Sequence, residues 1–281
     1  MKKFIYLLLL VVSWPSFAAR QFDIEVILFK RNINPEQVNE SWPDTQQAID
    51  LRGTIAFSDK DRLSAKGVRV LSPSQYQLNS EYNKLKNHAG FTPLAHIAWR
   101  QGDQGKGAAP RIHLTAGKDF SDRYFADGTS RDAVSLSAPQ DISTDAAPNT
   151  DSGMVVTTDN DVTSASINNI NQPAINKPLF ELDGKLQVYV QHYLFVDADL
   201  DLREPGRREV IVGTEPLEID TLGGEANVQV GHLQEVKKRV EVEEFLKDFR
   251  FKQTRRMKSS ETHYLDHPLM GMIIQVRRVG A

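Results

Sequence analysis

From Leu186 to Leu202 the chain alternates apolar and polar residues over seventeen positions. Leu186, Val188, Val190, Leu194, Val196, Ala198, Leu200 and Leu202 share one side, interrupted only by His192. Gln187, Tyr189, Gln191, Tyr193, Phe195, Asp197, Asp199 and Asp201 share the other. A period of two excludes a helix and requires extended chain with one side against a core. At ~3.3 Å per residue a flat strand of this length would run about 56 Å, too long for a domain of this size. A bend or bulge is therefore expected, placed here near the aspartates, with His192 as a hydrogen-bonded interior residue.

The flanking sequence extends the β reading. Asp183-Gly184, between Phe180-Glu181-Leu182 and Lys185-Leu186, is the strongest short hairpin signal in the chain. Glu209 to Val212 is expected as an antiparallel return after Pro205-Gly206, and Thr214 to Leu233 as loop. Gln21 to Lys30 alternates Phe22, Ile24, Val26 and Leu28 against Asp23 and Glu25, then adds Ile27 and Phe29 on the second side. That is a strand entering a sheet interior. Phe91 to Arg100 and Arg111 to Thr115 are further strands across a Gly-rich turn.

Helical signals are few. Asn34-Pro35 starts a short turn, and Asp44 to Lys66 reads mostly as loop. Ser72-Pro73-Ser74-Gln75 is a capping box with proline at the first helical position. Leu78, Tyr82, Leu85 and Ala89 continue one helical face to Gly90, suited to a left-handed stop. Glu235 to Leu246 fits neither period. Phe249 to Met257 alternates as a strand, Ser259 to Pro268 turns, and Leu269 to Val279 returns as a strand. Together these predict an α+β fold, an extended and mainly antiparallel sheet with few helices.

The N-terminus adds a location. Met1-Lys2-Lys3, an apolar run from Phe4 to Val12, and Ser16-Phe17-Ala18 have the form of a secretory signal peptide cleaved after Ala18. The run is too short to span a bilayer, which takes ~20 residues. With no cysteine in the chain, lipid attachment at a cleavage-site Cys, disulfides and thiol chemistry are excluded. Loss of Lys2 and Lys3 moves the formal charge from −3 to −5, which argues against a general nucleic-acid binder. One domain is expected over 19–281, interrupted at about 126–176. That stretch has no aromatic residue, seven Asp and a single basic residue, Arg131. It has too little apolar area to offset its ordering entropy and is expected as a disordered insertion; a calcium site at Asp159-Asn160-Asp161 is the weaker alternative.

Chemistry-bearing residues gather near the C-terminus. Arg250, Lys252, Arg255, Arg256 and Lys258 form a basic run without an acid, suited to anionic carboxylate or phosphate groups. Tyr189 and Tyr193, with Trp42 and Trp99, are aromatic surfaces on which sugar rings stack, although packing is the commoner use. His263, Asp266 and His267 are materials for acid–base or zinc chemistry, but a polar turn ending at Pro268 uses the same residues. Asp197, Asp199 and Asp201 open like a calcium loop, but Leu202 stands where glycine belongs and Arg208 where glutamate belongs. Hydrolase, P-loop and dinucleotide signatures are absent. No metal or cofactor is expected.

Gln253-Thr-Arg-Arg-Met-Lys-Ser-Ser-Glu-Thr-His-Tyr-Leu-Asp-His-Pro-Leu-Met-Gly271 resembles the C-terminal signature of the CsiV family of periplasmic proteins. Phe22-Asp-Ile-Glu-Val-Ile-Leu-Phe-Lys-Arg31 is similar to the family's start. Phe91 to Gln101 and Leu186 to Leu200 are similar to its central blocks, all in the right order and spacing. The resemblance implies a non-enzymatic peptidoglycan-binding protein of the periplasm that supports cell-wall synthesis and cell shape. It further implies cooperation with an outer-membrane lipoprotein activator (LpoA) of a class A penicillin-binding protein. It carries no site residues, so Arg250, Lys252, Arg255, Arg256, Lys258, Tyr189 and Tyr193 are proposed for ligand contact from charge and aromatic placement alone. A wall hydrolase using His263, Asp266 and His267 is the alternative.

Overall fold

The computed structural model describes residues 20–132, 177–216 and 236–280. The expected leader at 1–18 and residues 133–176 of the expected insertion lie outside them. The described chain falls into two compact units, one comprising 20–119, 180–205 and 247–280, the other 120–132, 177–179, 206–216 and 236–246.

The first unit is built from ten strands in two five-stranded sheets, and the α+β, mainly antiparallel class expected from the sequence holds. Sheet A has the order β3 (Arg69–Val70), β4 (Phe91–Gly102), β1 (Gln21–Arg31), β10 (Met270–Arg278), β9 (Thr262–Asp266). Sheet B has the order β2 (Thr54–Ala56), β5 (Arg111–Asp119), β6 (Phe180–Gln191), β7 (Tyr193–Pro216), β8 (Val236–Met257). β7 and β8 give residues to both units. Ile24, Val26 and Leu28 of β1, Met272, Ile274 and Val276 of β10, and the apolar sides of β5 to β8 form one buried cluster, so each sheet turns one side to a shared core.

The long alternating stretch is resolved by a hairpin rather than a bend. Gln191 pairs with Tyr193, and His192 occupies the tip with φ 61°, exposed instead of interior. Leu186 pairs with Ala198 and Val188 with Val196, even position against even, so the apolar side keeps its parity through the turn. The hairpin signalled at Asp183-Gly184 does not form, and β6 runs straight through it. Glycine is required there by close approach: a Cβ on Gly184 would lie 2.3 Å from the Asp199 carbonyl oxygen of β7. Likewise β7 continues through Pro205-Gly206 without the expected return.

A helix α1 (Lys60–Ala65), capped by Asp59, interrupts the expected loop and buries only Leu63, too little to leave a period in the sequence. The capping box at Ser72 is present, but it opens a 3-10 turn at Pro73–Gln75. The α-helix α2 spans only Asn79–Asn87. Between them the Gln77 and Leu78 N–H groups donate to the Glu25 carboxylate instead of continuing a helix. Gly90 does not adopt the left-handed stop; its N–H donates to His88 Nδ1. Helix α2 and the preceding turn cover the second side of sheet A, packing Leu78, Tyr82 and Leu85 on Ile27 and Phe29.

The expected C-terminal strand–turn–strand is divided between sheets. β8 belongs to sheet B, whereas His263 to Asp266, expected in a turn, form β9 beside β10 in sheet A. In the second unit, Phe120, Tyr124, Leu179 and Leu246 form a small cluster. Residues 126–132, expected within the insertion, include bonded chain: Leu246 N–H donates to the Gly128 carbonyl and Phe125 N–H to that of Thr129.

Candidate functional site

The open side of sheet B collects charge because the core takes the even positions of β6 and β7 and leaves the odd ones outside. Pairing sets Asp183 against Asp201, Lys185 against Asp199, Gln187 against Asp197 and Tyr189 against Phe195. β5 adds Arg111 opposite Gln187 and His113 opposite Lys185. β8 adds Arg250, Lys252, Thr254 and Arg256 from its own outer side. Lys185 and Asp199 face one another as unlike charges, whereas Asp183 and Asp201 face as like charges and each takes its partners from elsewhere, His113 and Arg203 for Asp183 and Arg250 for Asp201.

The degree of pairing changes along this side. At the Asp183–Asp201 end the groups are saturated. His113 Nε2 lies 2.7 Å from Asp183, and Arg203 donates to the same carboxylate at 3.2 Å. Burial alone would raise the Asp183 pKa, but these two partners hold it below the usual range. Asp201 is 3% exposed and accepts from Arg250 Nε at 2.5 Å, yet here burial prevails and raises its pKa.

Further along, the pairs loosen. Asp199 has Lys185 at 3.8 Å and Arg250 at 3.7 Å, and its Oδ1 is buried without a hydrogen bond. Asp197 accepts from Thr254 Oγ1 at 3.1 Å and has Lys106 Nζ at 3.4 Å. Lys106 also lies 5.3 Å from the Tyr189 ring centroid. Gln187 Nε2 donates to the Lys106 and Ala109 carbonyls at 2.8 Å each, tying the loop that carries Lys106 to the sheet. A cleft of about 220 Å³ opens among Lys106, Arg111, Lys185, Gln187, Asp197 and Asp199. Beyond it, at the hairpin end, the Arg256 guanidinium stacks 4.4 Å from the centroid of Tyr193, which is 56% exposed.

The residues expected to contact ligand therefore separate. Lys252 and Arg256 are exposed, and Tyr193 presents an open ring. Arg250 is held by Asp199, Asp201 and the Gln47 carbonyl. Tyr189 is 4% exposed and stacked on Phe195, so its ring is closed to a sugar. Arg255 is exposed, but strand parity turns it away from Arg256 and Lys252. Lys258 pairs with Glu261 at 3.4 Å. Of the tryptophans, Trp99 is fully buried and Trp42 packs edge-on against Phe249.

The His263, Asp266 and His267 group is not assembled as a site. His263 and Asp266 alternate across β9 and project to opposite sides. His263 Nε2 accepts from the Lys258 N–H. Asp266 is engaged by Arg31 and by the Tyr264 hydroxyl at 2.6 Å; the hydroxyl first, then the guanidinium, hold its carboxyl below the usual range. His267 Nδ1 accepts from Leu269 N–H, and burial pushes its pKa down. Among the described residues no cluster of three or more His, Cys, Asp or Glu is arranged to hold a metal ion.

Lys106, Arg111 and Lys185 were not singled out by sequence reasoning. Their signal was present but weak, since Lys185 stands on the same parity as the aspartates, whereas Lys106 sits in a Gly-rich turn whose position only the fold determines.

A family model described as "Peptidoglycan-binding protein, CsiV" matches residues 2–279. No curated protein and no solved structure matches the chain.

Proposed function

The chain belongs to the CsiV family of peptidoglycan-binding proteins, and from that premise we propose that it holds the cell wall on the open side of sheet B. The observation that carries this is the Arg256–Tyr193 stack, an exposed cation on an exposed ring beside the mixed-charge cleft. A stacked pair offers a flat surface to a sugar and N–H donors to wall carboxylates. Lys252 adds an exposed charge on the same side, with Lys258 just past the end of β8 paired to Glu261 and Arg255 turned to the other side. Arg250 and Tyr189, both committed to internal contacts, support this surface from within.

The proposed role is non-enzymatic. The signal-peptide form of residues 1–18 supports a periplasmic location, and no described helix is long and apolar enough to cross a membrane. The family resemblance supports a part in cell-wall synthesis and cell shape, alongside an outer-membrane lipoprotein activator (LpoA) of a penicillin-binding protein. The separation of His263 from Asp266 favours binding over hydrolysis.

Sedimentation with purified sacculi at moderate salt is the test. Wild type should pellet, and a Lys252→Glu, Arg256→Glu, Tyr193→Ala variant should remain largely in the supernatant. Equal sedimentation would remove this surface from the reading. Muropeptide profiles should be unchanged by incubation with the protein; a new product would overturn the non-enzymatic role.

A further inference from the structure

The cleft beside Tyr189 is lined by both signs of charge, and its groups are unequally satisfied. No ion pair or hydrogen bond engages the Arg111 guanidinium among the described residues, and the residue is exposed. Asp199 Oδ1 is buried without a hydrogen bond while its two cations stay at 3.7 and 3.8 Å. Asp197 keeps one ion pair, Lys106 at 3.4 Å. An ammonium ligand brings three N–H donors to a carboxylate that lacks one, and a ligand carboxylate suits the fork of a free guanidinium. A ligand with only one charge meets repulsion here, an anion from Asp197 and Asp199, a cation from Lys106, Arg111 and Lys185. A ligand carrying both can set each charge beside its opposite.

Size narrows the class further. At about 220 Å³ the cleft is smaller than the ~300–1,000 Å³ that encloses a whole drug-sized ligand, so it suits a terminal group on a longer molecule. We propose that the cleft binds the amino-and-carboxylate head of a diamino acid at the free end of an uncross-linked stem peptide. The ammonium sits at Asp199 and Asp197, and the carboxylate at Arg111. This rests on the peptidoglycan reading and sharpens it, because cross-linking consumes the amine. The site would then distinguish uncross-linked from cross-linked wall.

Calorimetric titration of the full chain with the tripeptide L-Ala-γ-D-Glu-meso-diaminopimelate tests this, with L-Ala-γ-D-Glu-L-Lys as the control that lacks the distal carboxylate. The diaminopimelate peptide should bind at least tenfold more tightly than the lysine peptide. Arg111→Gln and Asp199→Asn should each weaken it at least tenfold with unchanged melting temperature, and Lys185→Gln serves as a further variant should either fail to fold. Equal affinity for the two peptides, or unchanged affinity in the variants, overturns the proposal. Sacculus binding by wild type without tripeptide binding overturns the cleft assignment and leaves the wall-binding reading intact. Tripeptide binding without sacculus binding supports the cleft and overturns that broader reading.

Discussion

The second sides of the two sheets carry similar ionisable residues and treat them in opposite ways. On sheet A, Glu25 is fully buried beneath the segment leading into α2. It accepts from the Gln77 and Leu78 N–H groups at 2.8 Å each, from Arg277 at 2.8 Å, and meets His96 Nε2 at 2.9 Å. On sheet B, Asp199 receives no backbone N–H among the described residues and has two cations beyond hydrogen-bonding distance. The difference is the covering backbone. Its N–H groups are fixed donors that cannot swing away, whereas Lys and Arg side chains on an open sheet lose rotamer entropy by holding still. Charge met by backbone donors becomes architecture, and charge left to mobile side-chain partners remains available to a ligand.

The largest effect is expected at Glu25. Glu25→Ala strands Arg277 and leaves the Gln77 and buried Leu78 N–H groups without their acceptor, and should cost about 3–5 kcal/mol in urea unfolding. Hydrogen exchange at Gln77 and Leu78 should accelerate with it. A loss under about 1 kcal/mol would show that the network is incidental.

Next in size is a change of packing on sheet B that touches no charge. Gly184→Ala drives a Cβ into the Asp199 carbonyl and should cost roughly 1–3 kcal/mol by overpacking. It should also displace Asp199 and weaken the diaminopimelate peptide. Full stability with unchanged binding would separate the cleft from the β6–β7 register.

The pH dependence follows from the opposite signs of two carboxylates. Burial would raise the Glu25 pKa, but its four partners hold it below 4.5, so its stabilisation is present above that value and lost as pH falls through the lower folded value. Glu25→Gln should therefore flatten the acid side of the melting-temperature profile. Asp201 is shifted up by burial, so it favours the folded state as pH falls towards 3.8. Asp201→Asn should steepen the acid loss. Parallel profiles for both variants would contradict the assignment.

The smallest effect belongs to the open side itself. Lys106→Ala removes an exposed pair and should shift unfolding by no more than about 0.5 kcal/mol. A shift above about 1 kcal/mol would make Lys106 structural and remove it from the ligand surface.

The alternation from Leu186 to Leu202 was legible because burial on one side of a strand imposes a period of two wherever the strand goes. The hairpin tip was not, because His192 at φ 61° carries no turn residue, while Asp183-Gly184, which does, lies mid-strand to let β7 approach. Asp197, Asp199 and Asp201 share one side by spacing alone, which suggests a solvated face, yet Asp201 is 3% exposed there; Arg256 and Tyr193 stand out by residue type. Their stacking depends on β8 lying beside β7, a neighbour relation between distant segments. Tyr189 and Tyr193 share parity and differ only in what passes over them, so their opposite exposure could not be read from the chain.

Which residues face inward follows from the chain alone, because period and apolar area are local quantities summed along it. So does the family, through blocks whose order and spacing are linear. Which charges are used up depends on the folded neighbours. Glu25 reads as a polar-side residue of a first strand and is the most deeply committed carboxylate of sheet A, because Gln77, Leu78 and Arg277 arrive from 52, 53 and 252 positions away. Asp199 reads the same way and stays half-satisfied because, among the described residues, no backbone donor reaches its buried oxygen. The energy of a charge in a protein depends on its surroundings, and those are set by distant parts of the chain.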